Sequence, residues 1–122
     1  MPFETILTAE QVRKYTAQGL WTGRVITDFL DEVAAATPDK LAAIDARGQI
    51  TYGELKRLSD RAALGLLALG VRPGDVVSFQ LPNWIEFLVV HFAVSRIGAV
   101  NNPLIPIYRD REVGFMVALA QS

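Results

Sequence analysis

The chain has no cysteine and a single histidine, His91. The first lack excludes disulfides, thiolate metal sites and a cysteine nucleophile together. The second excludes a metal site built from several histidines. Excess charge of either sign is lacking as well. A formal net charge of -1 supplies neither a basic field for nucleic acid or anionic lipid nor an acidic tail. No uncharged apolar run is long enough to span a bilayer, because Glu86 and Arg96 bracket the most hydrophobic segment. The opening MPFETILTAEQ has no basic stretch followed by an apolar one, so no secretory signal is expected and a cytoplasmic location is the default. A G-x-S-x-G elbow, a Walker A loop and a G-x-G-x-x-G fingerprint are all missing. No catalytic constellation is recognisable in these residues.

What is present is a pattern of local start and stop signals. Thr8-Ala9-Glu10-Gln11 fits a capping box, predicting a short helix to about Gln18 that Gly19 stops. Val25, Ile26, Phe29, Leu30 and Val33 fall on one face of a second helix, ended by Thr37-Pro38. Lys40 to Asp45 and Gln49 to Tyr52 read as two strands of a hairpin around Arg47-Gly48. Thr51-Tyr52-Gly53-Glu54 is a second capping box. Leu55, Leu58, Ala62, Leu66 and Leu69 follow at helical spacing before Gly70. Arg72-Pro73-Gly74-Asp75 suits a type II turn, with a strand expected from Val76 to Leu81. Asn83-Trp84-Ile85-Glu86 reads as a third box with Asn83 as cap, opening a helix that Gly98 ends. A strand from Ala99 to Leu104 and a last helix capped by Asp110 complete the series. Residues 76-104 are thus expected to form a parallel βαβ unit with flanking helices in an α/β fold.

Charge and apolarity divide unevenly. Residues 1-60 hold 16 charged side chains and residues 61-122 hold 9. From Trp84 to Ile97, ten of fourteen residues are apolar and surround the helix axis, the pattern of a buried helix. Burying those ten is worth roughly 15 to 30 kcal/mol gross, more than a two-strand parallel unit collects alone. Parallel sheets are normally covered on both faces. The expectation is an incomplete fold, covered by more chain or by a self-association surface.

Each polar residue near the strand ends has a structural and a functional reading. His91 is a general base or a ring held in a core, and nothing near it in sequence would orient it. Asn83 and Glu86 are ligand contacts or the two halves of a cap, which accounts for both polar groups. Trp84 reads as packing, and Arg109 and Arg111, beside Asp110 and Glu112, as a solvated mixed-charge helix start. The connection Asn101-Asn102-Pro103-Leu104-Ile105-Pro106-Ile107-Tyr108 follows a parallel strand at the edge where α/β proteins place ligands. Two prolines stiffen it, and a rigid connection explains it equally well.

Three segments in one order resemble the N-terminal part of the AMP-forming acyl-CoA synthetase and adenylating-enzyme superfamily. They are ITYGEL with ALGVRPGDVV behind it, QLPNWIEF, and RIGAVNNPLIPIYRDRE. QLPNW together with NPLIPIYRDREVGFM looks most like the branch of cyclohexanecarboxylate-CoA ligases and related short- to medium-chain acyl-CoA synthetases. The resemblance covers about residues 22-122, and residues 1-21 read as an N-terminal extension. It implies that the chain is the first part of the large domain of an ATP-dependent carboxylate-CoA ligase. Such an enzyme uses ATP, Mg²⁺ and CoA with a small-molecule carboxylate. The phosphate loop, the adenine and ribose motifs and the C-terminal domain have no matching position in these 122 residues. Alone, the chain is expected to be inactive and to bind none of these cofactors tightly. The resemblance places the connection after the second strand near the CoA channel, which makes Pro106, Ile107 and Tyr108 the candidate wall residues. It implies no catalytic and no metal residue here. The alternative is a stand-alone, non-catalytic α/β interaction module.

Overall fold

Helix starts and stops set most of the architecture. In a computed structural model describing residues 6-122, α1 (Ala9–Ala17) opens at Thr8. Its Oγ1 accepts from the Gln11 N-H at 3.2 Å while Gln11 Oε1 accepts from the Thr8 N-H at 2.8 Å. Residues 1-5 of the expected extension lie outside the described residues. The same reciprocal pair starts α3 (Tyr52–Ala68), between Thr51 and Glu54 at 3.2 and 3.0 Å. Gly70 then takes φ +96°, and the Gly70 and Val71 amides close onto Leu67 and Leu66 carbonyls. That left-handed ending favours glycine because no Cβ is in the way.

Between them lie α2 (Ile26–Ala36), β1 (Leu41–Asp45) and β2 (Gly48–Thr51). The strands pair antiparallel, with one irregularity between Leu41 and Ala43. The turn is Ala46-Arg47 rather than the expected Arg47-Gly48, because Gly48 pairs with Asp45. The buried line of α2 is Thr27, Leu30 and Ala34, which corrects the expected face. Val25, Ile26 and Phe29 are exposed. Small Thr27 and Ala34 let the helix approach its neighbours, while Phe29 stays outside with the Arg24 guanidinium 4.1 Å above its ring. On α3 the buried centre runs Leu55, Ser59, Ala63, and Leu69 is exposed. Leu30, Ile50 and Leu55 form the core that joins α2, β2 and α3.

The second half is the βαβ unit. Gly74 takes φ +88° and the Asp75 N-H donates to the Arg72 carbonyl at 3.1 Å, the hydrogen-bonded type II turn. β3 (Val76–Phe79) and β4 (Val100–Pro103) pair in parallel, Val76 opposite Val100 and Phe79 opposite Pro103. Both are shorter than expected. Gln80 leaves the ladder to hydrogen-bond elsewhere, and Pro82 has no N-H to offer. α4 (Ile85–Arg96) covers one face of this sheet. There Phe79 meets Phe87 edge-on at 5.3 Å, and Asn101 Nδ2 donates to Ser95 Oγ at 2.9 Å. The other side of α4 packs on α3, the largest helix contact in the fold. Only Ala93 and Val94 of α4 are fully buried, so the apolar girdle of this helix is half used. α5 (Asp110–Ala120) follows the β4 connection.

Two expected caps fail. α4 has Trp84, not Asn83, at its N-cap position, with no side-chain bond from it. The carboxylate that takes the Ile85 N-H, at 2.9 Å, is Asp45, forty residues earlier. At α5 the cap position is Arg109, and Asp110 is already the first helical residue. Glu112 Oε2 reaches back to the Arg109 N-H at 3.2 Å.

Candidate functional site

The C-terminal edge of β3 and β4 is where sequence reasoning placed a ligand edge, and two connections leave it. The first is Gln80 to Trp84, entering α4. The second is Leu104 to Arg109, entering α5. Leu104 is buried and continues the sheet bonding through its N-H to the Phe79 carbonyl at 2.8 Å. Ile105 to Tyr108 then form a turn closed by the Tyr108 N-H to the Ile105 carbonyl at 3.1 Å. Gln80 Nε2 donates to the carbonyls of Ile105, at 2.9 Å, and Tyr108, at 3.0 Å. Arg109 Nη1 donates to the carbonyls of Pro106 and Tyr108 at 2.9 and 3.2 Å. Three carbonyls of this turn are therefore tied down by two side chains, and Ile107 stands 73% exposed.

Pro106, Ile107 and Tyr108 thus share one stiff turn at the sheet edge. Arg109 serves that turn, and Arg111 is exposed on α5. The expected strand Val76 to Leu81 takes in Gln80 as one more strand residue. Its signal was available: a polar side chain closing an apolar strand directly before Leu-Pro.

A separate cleft of about 330 Å³ lies between the hairpin and the start of α4. Its lining includes Ala43, Ile44, Asp45, Asn83, Trp84 and Phe87, and excludes Pro106, Ile107 and Tyr108. The Arg47 guanidinium sits 4.2 Å above the Trp84 ring and pairs with Glu86. Trp84 is therefore a platform, but for a residue of its own chain. Glu86, expected to return a cap bond, instead holds Arg47. Asp45 Oδ1 accepts from the Arg47 and Gly48 amides at 2.7 and 3.0 Å while Oδ2 takes the Ile85 amide. The bond from Ile85, then the one from Arg47, holds the Asp45 carboxyl below its ordinary pKa.

His91 stacks on Phe87, with centroids 6.4 Å apart, and lies edge-on to Phe92. No ionisable group is hydrogen-bonded to its ring among the described residues, so nothing orients it as a base. Asn101 donates to Ser95 Oγ and to the His91 carbonyl, leaving its own Oδ1 buried without a partner. Among the described residues no group of three or more His, Cys, Asp or Glu side chains converges to hold a metal ion.

With this geometry in hand, the relatives decide the family. The description "AMP-binding enzyme" matches residues 30–122. The chain belongs to the AMP-binding enzyme family. It is 38% identical over 120 residues to a medium-chain fatty-acid–CoA ligase of Escherichia coli, covering 97% of this chain and 21% of that protein. It is 39% identical over 117 residues to a salicyl-AMP ligase / salicyl-S-ArCP synthetase of Mycobacterium tuberculosis, covering 92% and 21%. The apo structure of Mycobacterium smegmatis MbtA superposes with a TM-score of 0.86 at 39% identity, over 97% of this chain and 22% of that one. The chain therefore spans about a fifth of the length of the family members it matches. Its fold is that of the N-terminal part of an adenylate-forming enzyme. No helix among the described residues is long and apolar enough to cross a membrane.

Proposed function

We propose that this chain is the N-terminal scaffold of an ATP- and Mg²⁺-dependent ligase that activates a small carboxylic acid and transfers it to the thiol of CoA. The observation that carries this is the match to the AMP-binding enzyme family across residues 30–122, joined by the likeness of 97% of this chain to part of a medium-chain fatty-acid–CoA ligase. The carboxylate attacks the α-phosphorus of ATP, pyrophosphate leaves, and a thiolate then displaces AMP from the acyl-adenylate. Oriented donors and cations that stabilise phosphate charge carry most of such a reaction. These 122 residues supply the walls and supports. Pro106, Ile107 and Tyr108 form part of the wall along which the thiol approaches, as the turn at the strand edge favours.

A second reading keeps the adenylation and changes the acceptor. The likeness to a salicyl-AMP ligase / salicyl-S-ArCP synthetase is just as strong, and it favours an aryl acid passed to a carrier-bound thiol. ATP–pyrophosphate exchange by the full-length protein, with octanoate, cyclohexanecarboxylate and salicylate, tests the first half. CoA and a phosphopantetheine-loaded aryl carrier protein as acceptors then separate the two readings. Exchange with one acid and thioester formation on CoA is the expected result. A full-length protein inert to all three acids would overturn the proposal. Sequencing past Ser122 separates it from a stand-alone module, since a Ser/Thr/Gly-rich loop ending in Pro-Lys is required downstream.

A further inference from the structure

We infer that Gln80 is a positioning residue that sets the thiol-side wall by clamping the Ile105–Tyr108 turn onto the end of β3. The inference rests on the reading of Pro106, Ile107 and Tyr108 as that wall. Gln80 is the first residue beyond the β3 ladder, and its single amide nitrogen spends both hydrogens on the same turn, at 2.9 Å to Ile105 and 3.0 Å to Tyr108. Because both partners are carbonyls, the amide has only one useful orientation, with nitrogen toward the turn and oxygen away. The Ile105 carbonyl also accepts the Tyr108 N-H that closes the turn. One donor therefore holds both ends of a four-residue segment at once.

Backbone pairing in the β3–β4 sheet stops at Phe79, Pro103 and the Leu104 amide. Beyond that point the turn has no ladder to locate it. Arg109 ties the Pro106 and Tyr108 carbonyls, but it stands directly after the turn in sequence and moves with it. Among the described residues, only Gln80 and the Leu104 amide hydrogen-bond this connection to β3. Gln80 is exposed, and hydrogen bonds in contact with water add little to global stability. Its loss should therefore shift the turn more than it lowers melting. A displaced wall changes acceptor binding, whereas adenylation precedes the thiol.

The test uses the full-length protein and two variants of similar size, Gln80→Met and Gln80→Glu, with Ile107→Ser as a direct probe of the wall. ATP–pyrophosphate exchange reports adenylation. The KM for CoA, or for the loaded carrier protein if that is the acceptor used, reports the second half. In both Gln80 variants the thiol KM is expected to rise about tenfold while exchange changes less than about twofold. If Ile107→Ser raises the thiol KM and neither Gln80 variant does, the positioning role is overturned and the wall stands. If all three leave the thiol KM unchanged, the wall itself is overturned and Gln80 with it. An equal loss of both half-reactions in both Gln80 variants would also overturn the inference, because it would mark Gln80 as a support of the fold.

Discussion

Asp45 holds three backbone amides with one carboxylate, and two of them belong to its own turn. The third starts α4. Ala46 and Arg47 both keep negative φ, so this hairpin lacks the left-handed residues that tight hairpins favour, and Asp45 supplies the bonds instead. Asp45→Ala is expected to lower the melting temperature measurably, with hydrogen exchange rising first at Arg47, Gly48 and Ile85. The pH dependence has a definite sign. The folded pKa of Asp45 lies below its unfolded value, chiefly through the Ile85 bond. Its contribution is therefore complete above the unfolded pKa and fades as pH falls through the folded one. Acid titration of wild type against Asp45→Ala should show the two melting curves converging below about pH 4. Asn83→Ala tests the opposite side of this assignment. Asn83 is exposed and forms no cap, so the change should stay within about 0.5 kcal/mol by chemical denaturation. Sequence reasoning erred at Asn83 for a physical reason. Caps at Thr8 and Thr51 are legible because both partners lie three residues apart. A cap in which the Ile85 N-H donates to Asp45 spans forty residues, and no local pattern announces it.

At the scale of the element, α3 offers one substitution with two outcomes. Gly53 sits in its first turn against Pro38, whose carbonyl also accepts the Gly53 N-H at 2.9 Å. A Cβ there would lie 3.2 Å from Pro38 Cβ and from the Pro38 carbonyl oxygen. Gly65 lies mid-helix with nothing near its Cβ position. Gly65→Ala is expected to stabilise by about 0.5 to 1 kcal/mol through helix propensity and a less flexible unfolded chain. Gly53→Ala should destabilise, since backbone cannot yield as a side-chain tip can. Denaturation of the two variants side by side checks the sign. The same helix carries one end of an ionic staple. Arg96 of α4 makes a two-pronged contact with Asp31 of α2, at 2.5 and 2.7 Å, and lies 3.0 Å from Asp60 of α3. Lys56 joins the two carboxylates from α3, at 2.5 Å to Asp60 and 3.5 Å to Asp31. The hydrogen bond from Arg96 holds Asp31 below its ordinary pKa. Arg96→Met should cost about 1 to 2 kcal/mol. Removing one partner of a buried pair costs more, but Asp31 and Asp60 each keep 38% exposure and water screens them. Helix order and spacing were legible here, because apolar periodicity is local. The staple was not, because which charged faces meet depends on how three helices pack.

The whole molecule is organised around surfaces that its own residues leave open. Among the described residues eight apolar side chains are buried, and three of them are alanines. Against these stand exposed Trp21 and Phe29 near the start, Leu64 and Leu67 on α3 with Leu69 just past its end, Ile105 and Ile107 at the sheet edge, and Phe115 and Leu119 on α5. The β3–β4 sheet shows the same imbalance. α4 covers one face, while on the other Ser78 takes a bond from Asn102 at 2.8 Å and meets Ser122 at 2.6 Å. The composition already pointed this way, since an all-round apolar α4 is intelligible only with neighbours on every side. What it did not reveal is where the uncovered area falls, which depends on α2 presenting Thr27, Leu30 and Ala34 inward rather than Phe29. Exposed apolar side chains in this number favour association in water. The polypeptide of these 122 residues, produced by itself, is therefore expected to bind a hydrophobic dye strongly at neutral pH and to run on size exclusion above its 13.4 kDa monomer mass. Dye binding per mole should fall severalfold when the same residues belong to the full-length protein, because parallel sheets are normally covered on both faces. A cooperatively melting monomer that ignores the dye would show instead that α3 and α4 alone bury enough to make these faces tolerable.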